Sequence, residues 1–89
     1  PLLHSQLRLS IVSLLMGLKS ATFNFIVEQT GATKGNISVQ LKKLAEAGYV
    51  EIDKTFNENF PLTTCKITGK GRDAFEKYVD ALRGYIGNH

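Results

Sequence analysis

Gly35-Asn36-Ile37-Ser38-Val39-Gln40-Leu41-Lys42-Lys43-Leu44-Ala45-Glu46-Ala47-Gly48-Tyr49-Val50 is the stretch whose reading decides the fold. Ile37, Leu41 and Leu44 stand at i, i+4 and i+7 and share one side of an α-helix. Gly48 is a helix stop, and Tyr49-Val50 opens a run with strand periodicity. At about 100° per residue, the side opposite the apolar stripe carries Gly35, Asn36, Val39, Lys42 and Lys43, with Ser38 at its margin. An ordinary solvated face mixes charges on long side chains. This one offers small, hydroxyl, amide and apolar groups near its start and then two lysines. Such a face suits the DNA major groove, where amides read base edges, methyls meet thymine and lysines hold phosphates.

The elements around this helix follow from the same signals. Upstream, Phe23, Ile26, Val27 and Thr30 predict a short helix with Thr22 as N-cap and Gly31 as its end. Thr33 is the N-cap of the next helix. Two short helices joined by a tight glycine-containing turn make a helix-turn-helix, at about 22–48. Further back, Leu3, Leu7, Ile11, Leu14, Leu15 and Leu18 predict a first helix over about 3–17. Leu2, Leu9 and Val12 make that helix apolar on a second side, which calls for another element or subunit to cover it. Lys19-Ser20-Ala21-Thr22 is a connector with room for a brief strand.

Downstream of Gly48 the period falls from 3.6 to 2. Val50 and Ile52 alternate with Glu51 and Asp53, and Lys54-Thr55-Phe56 follows. Asn57-Glu58-Asn59 is a turn cluster, Pro61 enters a second strand, and Thr63, Cys65 and Ile67 share a face. The result is a β-hairpin at about 49–67 with arms of about five to seven residues. Thr68-Gly69-Lys70-Gly71 caps a last helix at about 68–86, whose stripe is Phe75, Tyr78, Val79, Leu82, Tyr85 and Ile86, weakening at Gly84 and Gly87. The predicted class is mainly α with one small β-hairpin, a single domain over residues 1–89.

The totals agree with a small globular domain. Eighty-nine residues, 43% hydrophobic and 21% charged, suffice for one core without disulfides or metals. The net charge of +3 favours an acidic partner only weakly. One cysteine, Cys65, excludes an internal disulfide and fits a reducing cytoplasm. No stretch reaches the ~20 uninterrupted apolar residues of a membrane span, and Pro1-Leu2-Leu3-His4 lacks the pattern of a secretory signal. A start at Pro1 rather than Met leaves room for sequence upstream.

A helix-turn-helix followed at once by a β-hairpin has the winged-helix order, and the likeness extends to the residues. Gly35-Asn36-Ile37-Ser38, Leu41-Lys42-Lys43-Leu44 and Ala47-Gly48-Tyr49-Val50 resemble the core signature of small winged-helix transcriptional regulators related to the MarR and ArsR groups. Pro61, Thr63-Thr64 and Ile67-Thr68-Gly69-Lys70-Gly71-Arg72-Asp73-Ala74-Phe75 resemble the same family's hairpin exit and final-helix start. The resemblance runs from about Phe23 to Leu82, most of the chain.

It implies a sequence-specific regulator that binds double-stranded DNA. The third helix would enter the major groove, the wing would lie along the neighbouring backbone, and two copies would join through their terminal helices. Carried over by position, the groove-facing set is Thr33, Lys34, Gly35, Asn36, Ser38, Val39, Gln40, Lys42 and Lys43. Related wings are often basic at the tip, whereas Asn57-Glu58-Asn59 places a carboxylate there, which repels phosphate. Lys54 is then the wing's expected DNA contact. The expected homodimer interface is Leu3, Leu7, Tyr78, Leu82, Tyr85 and Ile86. Operator, direction of regulation and any small-molecule effector are not readable.

Other constellations carry less. Gly69-Lys70-Gly71-Arg72 lacks the spacing of a nucleotide loop and serves as a helix start. His4, His89 and Cys65 are too scattered for a zinc site within one subunit, so no metal or cofactor is expected. Cys65, with Thr63 and Ile67 on its strand face, is expected to be a buried, inert thiol rather than a redox switch. No triad or carboxylate dyad stands out, so no enzyme is expected. The alternative is a winged-helix module that binds protein, for which acids or large apolar groups would be expected on the third helix in place of Lys34, Lys42 and Lys43.

Overall fold

The computed structural model describes residue 3, residues 5–57 and residues 60–86. Its elements run α1 (Gln6–Met16), β1 (Ala21–Thr22), α2 (Phe23–Thr30), α3 (Lys34–Glu46), β2 (Val50–Asn57), β3 (Phe60–Ile67) and α4 (Gly69–Ile86). This is the winged-helix order that the sequence predicts. Among the described residues, no helix is long and apolar enough to cross a membrane.

Side-chain caps set the helix starts. Thr22 Oγ1 accepts the Phe25 N–H at 3.0 Å and Thr33 Oγ1 accepts the Asn36 N–H at 3.1 Å, as expected of both threonines. Helix α1 begins later than the spacing of its leucines suggests, at Gln6, because Ser5 takes the cap and accepts the Arg8 N–H. Leu3 still reaches the core at 5% exposure. The left-handed Gly31 (φ 72°) ends α2 by bringing its N–H to the Val27 carbonyl at 2.9 Å.

The connector before α2 does form a strand. Ala21 pairs with Cys65 and Thr22 with Thr64, giving an antiparallel sheet in the order β1-β3-β2. The hairpin arms are eight residues each, longer than expected. Pairing continues through Lys54↔Thr63, Thr55↔Leu62 and Phe56↔Pro61 to Asn57↔Phe60, so Asn57 closes the ladder instead of opening the turn. Pro61 is tolerated because β1 reaches no farther along β3 than Thr64, leaving β2 as its sole neighbour there. The expected tip residues Glu58 and Asn59 lie outside the described residues.

The core gathers one face from each element: Ile11, Val12 and Leu15 from α1, Ile26 from α2, Ile37, Leu41 and Leu44 from α3, and Val50 and Cys65 from the sheet. All are buried, and among the described residues no buried side-chain nitrogen or oxygen lacks a hydrogen-bond partner. Helix α4 lies against α1 with Ala74, Phe75 and Tyr78 packed on this core. From Asp80 to Gly84 its residues are exposed.

A tight joint links the end of α3 to the start of α4. The Tyr49 N–H bonds the Leu44 carbonyl at 2.9 Å around the left-handed Gly48 (φ 81°). The Tyr49 carbonyl accepts the Thr68 N–H at 3.0 Å. Thr68 Oγ1 donates to the Gly48 carbonyl at 2.6 Å and accepts the Gly71 N–H at 2.9 Å. A Cβ at Gly71 would collide with the Tyr49 carbonyl, so this approach admits glycine alone.

Candidate nucleic-acid interface

Burial of Ile37, Leu41 and Leu44 turns the opposite side of α3 to solvent. Thr33, Lys34, Gly35, Asn36, Ser38, Val39, Lys42 and Lys43 are all exposed, and Gln40 is half-buried at the edge toward α1. Val39, 51% exposed, is an apolar side chain set at the middle of this polar face. Nothing lies within 4 Å of where a Cβ would stand at Gly35. Packing therefore gives no reason for a residue that costs a helix interior about 1 kcal/mol against alanine. It leaves the first turn low enough for another backbone to come close.

The wing is set beside this face by strand parity. Val50, Ile52, Lys54 and Phe56 occupy one face of β2, and their partners Ile67, Cys65, Thr63 and Pro61 occupy the same face of β3. The inner pairs close the core. Farther out, Lys54 and Thr63 join Ser38 and Lys42 of α3 in lining an open groove of about 720 Å³ between helix and wing. The structure thus brings Ser38, Lys42 and Lys54 to one groove, with Glu46 at its lip.

The two lysines of the wing differ in their partners. On the opposite face of the wing, Lys66 is paired with Glu51 at 3.3 Å. Among the described residues, none of Lys34, Lys42, Lys43 and Lys54 has a carboxylate within ion-pair distance. Four cations on one side with no carboxylate partner among the described residues are available to an anionic partner.

Three features of the site escape the sequence reading. Arg8 of α1 donates from Nη1 to Gln40 Oε1 at 2.6 Å, and Gln40 Nε2 donates to Asn36 Oδ1 at 3.0 Å. No local signal announces a contact between positions 32 apart. Phe56 and Phe60 stand 80% and 73% exposed near the wing tip, on opposite faces. Their signal was present: Phe56 continues the face of Ile52 and Lys54 two pairs beyond the last buried one.

Cys65 is buried between β1 and β2. Burial, and then the Asp53 carboxylate, push its thiol from 9.0 up to about 11. It is protonated at neutral pH, as suits an inert core thiol. His4 and His89 lie outside the described residues, and among the described residues no three of His, Cys, Asp and Glu gather in a metal-holding group. Of the expected dimer residues, Leu3 is already in the chain's own core, Leu7 and Tyr78 are half-buried, and Leu82 is 43% exposed. The side chains of Tyr85 and Ile86 lie outside the described residues.

Residues 7–86 match the family described as the winged helix DNA-binding domain. An uncharacterised protein of Methanocaldococcus jannaschii is 42% identical over 76 residues, 85% of this chain and 83% of that protein. The solved structure of a transcriptional regulator homologue from Pyrococcus horikoshii OT3 superposes with a TM-score of 0.90 at 26% identity, covering 96% of this chain and 84% of that one. The M. tuberculosis transcriptional regulator MOSR, solved in complex with DNA, superposes with a TM-score of 0.75 at 18% identity, over 91% of this chain and 57% of its own. The last comparison speaks to the fold alone. The chain belongs to the winged helix DNA-binding domain family, with the fold of MarR-like transcriptional regulators.

Proposed function

We propose that this chain is a transcriptional regulator that binds specific sites on duplex DNA as a homodimer. Helix α3 enters the major groove with Asn36 and Val39 toward the bases, and Lys34, Lys42, Lys43 and Lys54 hold phosphates on either side. The observation that carries the reading is that set of four lysines, without a carboxylate partner among the described residues and collected around an exposed face of small, amide and apolar groups. Within the wing, Lys66 on the far face is paired with Glu51, whereas Lys54 on the near face turns its charge to the groove beside Ser38 and Lys42.

Two copies are required because one helix-turn-helix reads one half-site. A two-fold dimer demands half-sites about 34 Å apart or a multiple of it. The exposed end of α4 around Leu82 is the surface offered for that association, together with the half-buried Tyr78 and Leu7.

A salt-titrated binding assay on a random duplex library tests the reading. Six to eight phosphate contacts per dimer give a log-log slope of about −5 to −7. No mobility shift on any duplex at low salt, or a flat salt response, refutes it.

A further inference from the structure

Arg8 does more than fasten α1 to α3. From the chain of hydrogen bonds that starts at its guanidinium we infer that Arg8 fixes which end of the Asn36 amide faces outward, and so which base edge α3 accepts. The inference rests on the proposed seating of α3 in the major groove.

The polarity follows from donor and acceptor inventory alone. A guanidinium has five N–H donors and no acceptor, so Gln40 must turn Oε1 toward Arg8, as it does at 2.6 Å. That leaves Gln40 Nε2, a donor, facing Asn36. Asn36 must answer with Oδ1, as it does at 3.0 Å. The remaining end of Asn36, the Nδ2 donor, then points away from Gln40, on an exposed residue of the helix's first turns. An asparagine left to itself can turn either end of its amide to a base. Here the choice is made two hydrogen bonds away, on another helix, by a side chain that cannot accept a hydrogen bond.

The consequence for readout is definite. In the major groove guanine O6 and adenine N6–H occupy equivalent places, as do thymine O4 and cytosine N4–H. A lone outward donor bonds guanine at O6 or N7 and thymine at O4, reaches adenine at N7 alone, and meets only a donor on cytosine. The two-pronged grip of asparagine on adenine needs Oδ1 and Nδ2 side by side toward the base. With Oδ1 turned along the helix to Gln40, that grip is lost. Arg8 is therefore a positioning residue for specificity, while Asn36 makes the contact.

Site selection from a random duplex library by the full chain tests this, using wild type, Asn36→Ala, Arg8→Met and Gln40→Glu. Asn36→Ala identifies the position it reads, as the one whose preference disappears. At that position wild type should favour the keto bases, by about tenfold over cytosine and by less over adenine, which accepts at N7 alone. Arg8→Met should erase most of that preference and leave the other positions as they were. Gln40→Glu should invert it: a carboxylate accepts from both neighbours, so Asn36 turns Nδ2 inward and presents Oδ1 to the amino bases. Inversion is a result that loss of packing or of charge does not produce. Urea midpoints near that of wild type certify that both variants fold. A wild-type preference for amino bases overturns the inference, as does an intact keto preference in Arg8→Met, a loss uniform over all positions in Arg8→Met, or a Gln40→Glu variant that keeps the keto preference. Wild type that shifts no duplex at all removes the seating of α3, and this inference with it; sequence-specific wild type with unmoved Arg8→Met refutes this inference alone.

Discussion

Replacing Lys54 by alanine, beside the same change at Lys66, is the sharpest test of how the wing meets DNA. The two lysines sit on paired strands of one hairpin but on opposite faces. Lys54 shares a groove with Ser38 and Lys42 and has no carboxylate partner among the described residues, whereas Lys66 is held by Glu51 at 3.3 Å. If Lys54 touches one phosphate, a dimer loses two contacts in Lys54→Ala, and the slope of log K on log salt falls in magnitude by about 1.8. Taken from 1 M, where the counterion contribution vanishes, down to 0.15 M, that slope amounts to about 1.5 decades, or a loss of roughly 30-fold in affinity. Lys66→Ala removes the same formal charge from the same wing, but from a pair worth less than about 1 kcal/mol to stability and aimed away from the groove. Its slope should stay within about 0.5 of wild type, the residue of long-range screening. Fluorescence anisotropy on one selected duplex between roughly 0.05 and 0.4 M salt resolves a change of this size. Equal slopes for the two variants, or the larger change at Lys66, would refute the placing of Lys54 against the backbone.

Three further outcomes are expected. Phe56→Ser should weaken binding by about 1 kcal/mol per subunit without altering the salt slope, since it removes apolar contact and no charge, while Phe60→Ser on the other face should leave binding unchanged; a changed slope or equal losses would count against Phe56 as a contact. Cys65→Ser should bind DNA as wild type does with and without peroxide. Because the folded thiol holds its proton to about 11 and the unfolded one only to 9.0, wild type should lose stability relative to Cys65→Ala as pH rises from about 9 to 11, by some ~2–3 kcal/mol; parallel urea-midpoint curves for the two would refute it. Leu82→Glu should turn a dimer into a species of 9.8 kDa by light scattering and abolish tight binding to a two-half-site duplex; wild type already at that mass, or a variant still dimeric, would refute the interface.

The fold was legible because its signals are local. Ile37, Leu41 and Leu44 repeat at helical spacing, Thr22 and Thr33 stand where a cap is needed, and Gly31 and Gly48 adopt the left-handed conformations that helix ends require. The outer face of α3 was legible for the same reason, since burying one side of a helix settles the other. What escaped depends on distance in sequence. Ser5 displaced the start of α1 because a capping hydroxyl outranks an apolar period that would run on to Leu3. The reach of the wing to Asn57↔Phe60 was hidden by an asparagine that composition assigns to turns. Arg8 breaks no apolar period and carries no local signal, and its contact with Gln40 exists only once α1 meets α3. Phe56 continues the alternation of Ile52 and Lys54, which shows the face it shares but not that the core ends before it.

The joint at Gly48-Tyr49 and Thr68-Gly71 has a mechanical meaning. Two hydrogen bonds from Thr68, to the Gly48 and Tyr49 carbonyls, and a backbone approach that leaves no space for a methyl group tie the chain just past α3 to the first turn of α4. With the two ends tied this closely, a rotation of α4 would carry the end of α3 with it, so the helix proposed to face the bases and the helix proposed to meet a second subunit would turn as a single bell-crank. An 18-residue helix is about 27 Å long, and a tilt of ~10° sweeps its far end through about 5 Å. Any torque applied near Leu82 is thus delivered, geared down, to the turn that ends α3.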